Sequence, residues 1–128
     1  MKNVKNIVLL LSIMLFSSGV KAQFKGPGSD IPLYTVQEVK DDAMRLDRKD
    51  ILVRLKGFVV EKINDEDYVF MDKTGKIKIE LEDKYLPDFP FDETTEIIIT
   101  AEVDYDLLEG TELEVEKVIE RAEAIPDN

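Results

Sequence analysis

Between Lys76 and Glu82 the chain alternates without a break between charged and aliphatic side chains. Ile77, Ile79 and Leu81 are apolar, whereas every residue beside them carries a charge. Successive side chains of a β-strand point to opposite faces, so this period of two predicts a strand with one buried and one solvent-facing side. The domain is therefore expected to contain a sheet with an apolar interior and a charged exterior.

The same period of two recurs in the other segments after residue 50. A glycine inside a long first strand, Gly57, indicates a bulge or a sharp bend. The phase of the last strand slips between Val115 and Val118, which also indicates a bulge. Between the second and third strands, a tight turn ends at Gly75, which is free to take a positive φ. The predicted strands are residues 51–62, 68–71, 76–82, 96–104 and 113–119.

A short amphipathic helix is predicted ahead of the strands. Thr35 is suited to cap its first turn and Glu38 to complete a capping box, and Val36, Val39 and Ala43 follow at helical spacing. This helix is expected to contribute one apolar face to the core.

Residues 82–94 separate the third and fourth strands and contain Pro87 and Pro90, which exclude a strand or a long helix. Their large apolar side chains predict a segment that covers an open end of the sheet, and Phe70 and Phe89 are expected inside. The overall prediction is a mainly β fold, a five-stranded OB-type barrel with a short N-terminal helix. A β-sandwich, the alternative, usually needs about seven strands.

The first 22 residues have the pattern of a cleaved secretory signal peptide, with Lys2 and Lys5 before an apolar run and Ala22 at the cleavage site. The run of about ten apolar residues is too short to span roughly 30 Å of hydrocarbon. We therefore expect a periplasmic protein with no stable membrane insertion after cleavage. Residues 23–33 are expected to be a flexible tether, residues 34–125 the OB-fold domain and residues 126–128 a tail.

The charge of the chain limits its partners. Without the leader, 28 acidic residues face 14 basic ones, a net charge of −14. Such a field repels phosphate backbones, so nucleic acid is not expected as a partner and cationic partners are favoured. The alternative is that the charge only maintains solubility. The domain is expected to be a monomer.

The chain has no cysteine and no histidine. These absences remove disulfides, thiol chemistry, the commonest metal ligand and the usual general base. No serine motif for a nucleophile is present either. The sequence therefore predicts a protein that is not an enzyme and needs no cofactor.

Several segments resemble, in order and spacing, the bacterial OB-fold (BOF) family of exported stress-tolerance proteins, of the YgiW/YdeI type. Tyr85 stands where that family often has a tryptophan, and Ala101 where it has a glycine. The resemblance implies a periplasmic OB barrel linked to tolerance of peroxide, metals or cationic peptides, with no catalytic residues to transfer. The matching segments are Thr35–Glu38, Val53–Lys62, Tyr68–Gly75, Glu102–Asp104 and Glu114–Val118.

OB barrels bind ligands on the face of strands 2 and 3 and on the adjoining loops. The candidate ligand-binding residues are therefore Tyr68, Tyr85, Tyr105, Lys78 and Glu80. We expect the three tyrosines to be amphipathic anchors at the surface.

The leading hypothesis is a non-catalytic binding module in envelope stress tolerance that binds a cationic peptide, an envelope protein or a small envelope ligand. A divalent-cation buffer or sensor is one alternative, and a structural partner of an envelope protein is another. For the metal alternative the densest carboxylates are Asp104, Asp106 and Glu109, which lack the loop spacing of an EF-hand and are also typical of solvated turns.

Overall fold

The computed structural model describes residues 30–120, with the side chain of Glu120 left out. The predicted signal peptide and the tail lie outside the described residues. Within residues 30–120, two helices come first, followed by five strands with a 3-10 turn between the third and the fourth. The elements are α1 (Val36–Asp41), α2 (Ala43–Arg48), β1 (Val53–Lys62), β2 (Asp67–Asp72), β3 (Gly75–Glu80), the 3-10 turn (Asp83–Tyr85), β4 (Ile97–Asp106) and β5 (Gly110–Glu120).

The five strands form a closed barrel in the order β1-β2-β3-β5-β4. Every neighbouring pair is antiparallel except β3 and β5, which are parallel. The predicted fold, a mainly β five-stranded barrel with helical structure ahead of it, is confirmed. Within residues 30–120, no helix is both long enough and apolar enough to cross a membrane.

Strand β1 serves two neighbours and changes partner at Gly57. Residues 53–57 pair with β4, and residues 58–62 pair with β2. A Cβ at Gly57 would lie 2.3 Å from the carbonyl oxygen of Met71 and 2.8 Å from the ring of Phe70. The close approach of β2 therefore requires glycine at the position where the sequence predicts a bend.

Two bulges curve the sheet. In β1 the pairing with β2 skips Val60. In β5 it skips Glu116, because the consecutive β4 residues Thr100 and Ala101 face Lys117 and Val115. The second bulge accounts for the phase slip in the sequence of the last strand. Bulges increase local twist and bend, which a small closed barrel needs.

The core fills the barrel and extends to the helices. The capping box forms as predicted, with the Glu38 N–H donating to the Thr35 hydroxyl at 3.1 Å. The single predicted helix is divided in two at Asp42. Both halves still direct apolar residues inward, and the helical residues buried in the core are Val36, Val39, Ala43 and Leu46.

Residues 82–94 lie against the core as a partial cover. The rings of Phe89 and Phe91 meet edge to face, with centroids 6.5 Å apart, and both pack on the core together with Tyr85. Phe70 is fully buried as expected, whereas Phe89 is only half-buried. The two prolines hold this segment in an irregular conformation at the barrel surface.

Ordered pairing begins slightly before the predicted domain boundary. The N–H of Arg54 donates to the carbonyl of Pro32 at 3.0 Å, and the N–H of Tyr34 donates to the carbonyl of Arg54 at 2.7 Å. The last residues of the predicted tether thus run alongside β1. Residues 23–29 of the tether lie outside the described part of the chain.

The turn between β2 and β3 needs no left-handed glycine. The Asp72 carboxylate accepts hydrogen bonds from the N–H groups of Thr74, at 2.7 Å, and Gly75, at 3.2 Å. This side chain holds the turn, and the prediction of a positive φ at Gly75 is wrong. Among the glycines within residues 30–120, the positive φ falls at Gly110, with a value of 90°, where the β4–β5 turn ends.

Candidate acidic binding site

The outer surface of β3, β5 and β4 carries charged side chains in rows that cross the strands. In one row Lys78 of β3, Glu112 of β5 and Asp104 of β4 stand side by side. The amino group of Lys78 lies 3.3 Å from the Glu112 carboxylate and 3.7 Å from that of Asp67. The acids of this row are therefore neutralised in part by a lysine of the chain itself.

The next row consists of glutamates alone. Glu114 of β5 stands directly opposite Glu80 of β3 on one side and Glu102 of β4 on the other. Like charges directly opposite each other destabilise a sheet. Within residues 30–120 none of these three carboxylates forms an ion pair with a lysine or arginine. We call Glu80, Glu102 and Glu114 the glutamate row.

The β5 bulge adds a further acid to this surface. Val115 and Val118 are buried, and both residues between them, Glu116 and Lys117, are exposed. Burial raises the pKa of Glu116, and so does its interaction with the Glu102 carboxyl. The two carboxyls form a hydrogen bond only while one of them holds a proton. The bulge thus brings a fourth carboxyl next to the glutamate row.

A depression of about 200 Å³ lies over these residues, and we call it the acidic depression. A second depression of about 200 Å³ shares Glu102 and Glu114 and extends toward Asp47, Asp50 and Asp104. The charged and aromatic residues that line the acidic depression are Glu80, Glu82, Glu102, Glu114, Glu116, Lys84 and Tyr85.

Three glutamates of the depression have raised pKa values. Burial raises the pKa of Glu80 above its ordinary value of 4.5, and the charges of Glu114 and Glu82 raise it further. Burial also raises the pKa of Glu114, together with the charges of Asp104 and Glu102. For Glu116 the causes are burial and the hydrogen bond with Glu102. All three carboxyls would be stabilised in their charged form by a nearby cation.

Tyr85 supplies an aromatic wall beside the glutamates. The amino group of Lys84 lies 5.0 Å from the centre of the Tyr85 ring and 3.2 Å from the Glu82 carboxylate. A cation within about 6 Å of a tyrosine ring is attracted by the negative face of the ring. The ring at the wall of the depression therefore already attracts an ammonium group, that of the exposed Lys84.

The structure brings together only some of the predicted site residues. Glu80 and Tyr85 meet in the acidic depression, and Lys78 lies one row away. Tyr68 stands opposite the buried Ile79 and packs against the core. Tyr105 also packs against the core, and its N–H donates to the Asp47 carboxylate at 2.8 Å.

Sequence reasoning missed the glutamates of β4 and β5. Glu112, Glu114 and Glu116 alternate along the last predicted strand, and this alternation was the available signal. The alignment of Glu114 with Glu80 and Glu102 depends on strand pairing between distant segments. That pairing is visible only in the folded barrel.

The carboxylates proposed for a metal site take part in different interactions. Asp104 belongs to the row that contains Lys78. The Asp106 carboxylate accepts hydrogen bonds from the N–H groups of Leu108, at 2.7 Å, and Glu109, at 2.9 Å. These bonds lower the pKa of Asp106 and hold the β4–β5 turn. In the described part of the chain, no group of three or more acidic side chains is placed so that it could hold a metal ion.

A closed five-stranded barrel of this strand order defines the OB fold. The chain belongs to the bacterial OB fold (BOF) protein family, whose model matches residues 19–120. The resemblance stated from the sequence motifs is thereby confirmed.

Individual relatives agree with this assignment. The chain is 34% identical over 115 residues to the calcium-regulated OB-fold protein CarO of Pseudomonas aeruginosa, covering 89% of this chain and 94% of the relative. It is 32% identical over 72 residues to an uncharacterized protein of Haemophilus influenzae, covering 56% of this chain and 59% of that protein. The solved structure of the hypothetical protein ygiW from E. coli is 30% identical, with a TM-score of 0.60, and the match covers 78% of this chain and 99% of that one.

Proposed function

We propose that the protein is an exported, non-catalytic binding module that acts in stress tolerance of the bacterial envelope. Its acidic depression binds lysine or arginine side chains of a cationic peptide or of a basic segment of an envelope protein. The observation that carries this proposal is the glutamate row, in which Glu114 faces Glu80 and Glu102 and no lysine or arginine of residues 30–120 forms an ion pair with any of the three.

Comparison with the neighbouring row, which contains Lys78, indicates that within residues 30–120 the glutamate row lacks a cation. There Lys78 lies 3.3 Å from Glu112, and the carboxylate raises the pKa of the lysine, so the lysine is stabilised in its charged form. A lysine or arginine from a partner would have the same effect on Glu80 and Glu114. An opposite charge within about 4–6 Å favours the ionised carboxylate.

The size and lining of the depression favour a single side chain over a large ligand. Small-molecule pockets have volumes of about 300–1,000 Å³ and mostly apolar walls. This depression has about 200 Å³ and is lined mainly by carboxylates, with the Tyr85 ring at its wall. A guanidinium or ammonium group matches both the charge and the ring.

Export and the absence of catalysis are supported by the sequence. The first 22 residues have the pattern of a signal peptide, and the resemblance to exported stress-tolerance proteins points to the same compartment. The chain offers no histidine or cysteine for acid–base or nucleophilic chemistry. The charge of −14 without the leader is unfavourable for nucleic acid as the partner.

A divalent-cation buffer or sensor is the second candidate, because a relative is named for its regulation by calcium. Calcium takes about six to eight oxygen ligands. Asp106, one of the acids proposed for such a site, already has two turn N–H groups on its carboxylate. An extended cationic side chain needs fewer converging oxygens, so we place the cationic partner first.

The proposal is tested with the protein purified from the periplasm of an expressing bacterium, where mass spectrometry also shows whether residues 1–22 have been removed. Binding of a decalysine peptide is measured by calorimetry, with a decaglutamate peptide as control. We expect binding of decalysine alone, and we expect it to weaken with salt because exposed charges are screened over about 10 Å at 0.1 M.

The variant that removes the glutamate row combines Glu80→Gln, Glu102→Gln and Glu114→Gln. We expect it to bind decalysine at least about tenfold more weakly, since hydrogen bonds to charged groups contribute about 1.5–3 kcal/mol. The matched control has the same change of charge at exposed acids elsewhere and combines Glu61→Gln, Asp65→Asn and Glu93→Gln.

Equal loss in both variants would show that only the net charge matters and would contradict a site at the glutamate row. Heat from Ca²⁺ that disappears on replacing Asp104, Asp106 and Glu109 would favour the metal candidate. A pull-down from envelope extract with the wild type and both variants then identifies the natural partner, as the protein that the glutamate-row variant fails to retain.

A further inference from the structure

A larger cavity lies away from the acidic depression, on the outer face of β1 and β2 beside the start of α1. It is a groove of about 490 Å³. Its floor includes Phe58 and Met71, which stand directly opposite each other on the two strands. Both are half-buried and point away from the barrel interior, since the adjacent Val59 and Phe70 belong to the core. The groove therefore exposes an aromatic and a thioether side chain to solvent.

The rest of the apolar wall comes from the segment before α1. Leu33 is 50% exposed, and Tyr34 is half-buried beside it. Gly57 lies between Lys56 and Phe58 and contributes only backbone to the groove wall, since a Cβ there would point toward the core residue Phe70. A cavity of this volume with mainly apolar walls is typical of sites for small organic molecules.

Two lysines, Lys56 and Lys73, line the groove. Within residues 30–120 neither lysine forms an ion pair with a carboxylate. Of the two acids that also line the groove, Glu96 has an interaction of its own. The other acid, Asp72, needs no further partner.

The Asp72 carboxylate is occupied by four donors. It accepts hydrogen bonds from the N–H of Val36 at 2.8 Å, from the N–H of Thr74 at 2.7 Å, from the Thr74 hydroxyl at 2.6 Å and from the N–H of Gly75 at 3.2 Å. The negative charge of Asp72 is thus stabilised by these four donors and not by the lysines. In a chain with so many acids, this groove keeps two cations beside an apolar floor.

We propose that the groove binds an amphipathic organic anion, with its apolar body on Phe58 and Met71 and its carboxylate, sulfonate or phosphate on Lys56 and Lys73. The charge complementarity selects an anion, and the exposed apolar floor selects a molecule with an alkyl or aromatic body. Charge-assisted hydrogen bonds from two lysines fix one end of such a ligand, and burial of its apolar part supplies the remaining affinity.

The test uses the exported protein and the fluorescent anion 1-anilinonaphthalene-8-sulfonate, whose emission rises when it leaves water. We expect saturable binding at one site. Decanoate and decyl phosphate should displace the probe, whereas decanol and decyltrimethylammonium at the same concentration should not. The relative strength of decanoate and decyl phosphate then separates a fatty-acid source from a phospholipid source.

The variant combines Lys56→Gln and Lys73→Gln, and its control combines Lys40→Gln and Lys117→Gln at exposed lysines outside the groove. We expect the groove variant to bind the probe at least about tenfold more weakly, as for the loss of charged hydrogen-bond donors, and the control to bind as the wild type does. Met71→Gln, which changes no charge, should also weaken binding because it removes part of the apolar floor.

Unchanged affinity of the groove variant, or displacement by decyltrimethylammonium as effective as that by decanoate, would overturn the proposal. Near-ultraviolet circular dichroism of each variant excludes probe binding to unfolded chains. This proposal is independent of the acidic depression, because the groove variant should still bind decalysine and the glutamate-row variant should still bind the probe.

Discussion

The carboxylate of Asp72 accepts a hydrogen bond from the backbone N–H of Val36, 36 positions earlier in the chain, at 2.8 Å. Val36 is the first residue of α1, and its side chain is fully buried in the core. The hydroxyl of Thr74, in the same turn, accepts a hydrogen bond from the N–H of Gln37 at 3.0 Å. The β2–β3 turn therefore holds the start of the helix on the barrel.

Asp72→Ala should destabilise the protein by about 2 kcal/mol, because it leaves the partly buried N–H groups of Val36 and Gly75 without an acceptor. The matched control is Asp92→Ala. Asp92 accepts hydrogen bonds from the N–H and hydroxyl of Thr94, at 2.8 and 2.6 Å, and within residues 30–120 its side-chain hydrogen bonds stay inside its own turn. We expect a clearly smaller loss there, because the donors left without an acceptor are exposed to water. Urea unfolding measures both values, and equal losses would contradict a role of Asp72 in holding the helix.

Gly57→Ala should be strongly destabilising. The new Cβ would lie 2.3 Å from the backbone oxygen of Met71, and a strand backbone cannot move aside as a flexible side chain can. We expect a loss of about 3 kcal/mol, the upper end of the usual cost of overpacking. Thermal unfolding of the purified variant checks this value.

Gly75→Ala is the control for that substitution. Its Cβ would meet nothing closer than a Val36 methyl group at 3.7 Å, and its φ is not left-handed. We expect no loss, and a gain of up to about 1 kcal/mol from the reduced freedom of the unfolded chain. A stable Gly57→Ala variant, or a loss at Gly75 of the same size, would show that close approach does not set the requirement for glycine.

The alternation of side chains predicts which face of the barrel most residues occupy. Ile77 and Ile79 are buried and Lys78 is exposed, as the period of two requires. The same rule places Tyr105 in phase with the buried Val103, where it packs against the core and stays only half-buried. A half-buried ring of this kind is compatible with the amphipathic anchor expected from the sequence.

The composition of the acidic site could not be predicted in the same way. Glu80 and Glu114 are neighbours because β3 and β5 pair in parallel, and a parallel pair has no tight turn that sets its register. Tyr85 reaches the site from an irregular segment with no periodicity. The apolar groove forms because Leu33 and Tyr34 lie beside β1. From the sequence, Leu33 was expected to end a flexible tether and Tyr34 to begin the domain, so no groove was predicted there.

Glu114→Gln and Glu112→Gln should change stability in opposite directions at neutral pH. Glu114 faces two glutamates, so removal of its charge should stabilise the protein by about 0.5 kcal/mol. Glu112 pairs with the half-exposed Lys78, so the same substitution there should cost up to about 0.5 kcal/mol. Both residues lie on the same face of the same strand. Urea midpoints at low and high salt measure the effects, and salt should reduce both.

The carboxyl groups of the barrel also make stability depend on pH with two opposite signs. The raised pKa values of Glu80, Glu114 and Glu116 mean that folding favours their protonated forms. Their contribution to stability is fully present below the ordinary value of 4.5 and is lost as the pH rises through the folded values. Acidification from neutrality toward 4.5 should therefore stabilise the protein.

Asp72 and Asp106 act in the opposite sense. Burial alone would raise the pKa of Asp72, but the hydrogen bonds from Thr74, Val36 and Gly75 outweigh it and the pKa is lowered. Backbone hydrogen bonds likewise lower the pKa of Asp106. Their contribution is present above the ordinary value of 3.8 and is lost as the pH falls through the folded values.

These two effects together predict a stability maximum in mildly acidic solution, near the ordinary glutamate pKa of 4.5 and not at neutrality. Urea unfolding at a series of pH values measures it. In a variant that combines Glu80→Gln, Glu114→Gln and Glu116→Gln, the rise in stability on acidification from neutrality should be largely absent, while the loss in stronger acid should remain because the aspartates are intact. A wild-type stability that falls steadily from neutral pH downward would show that the glutamate row does not repel itself in the folded barrel, and that no cation is needed there.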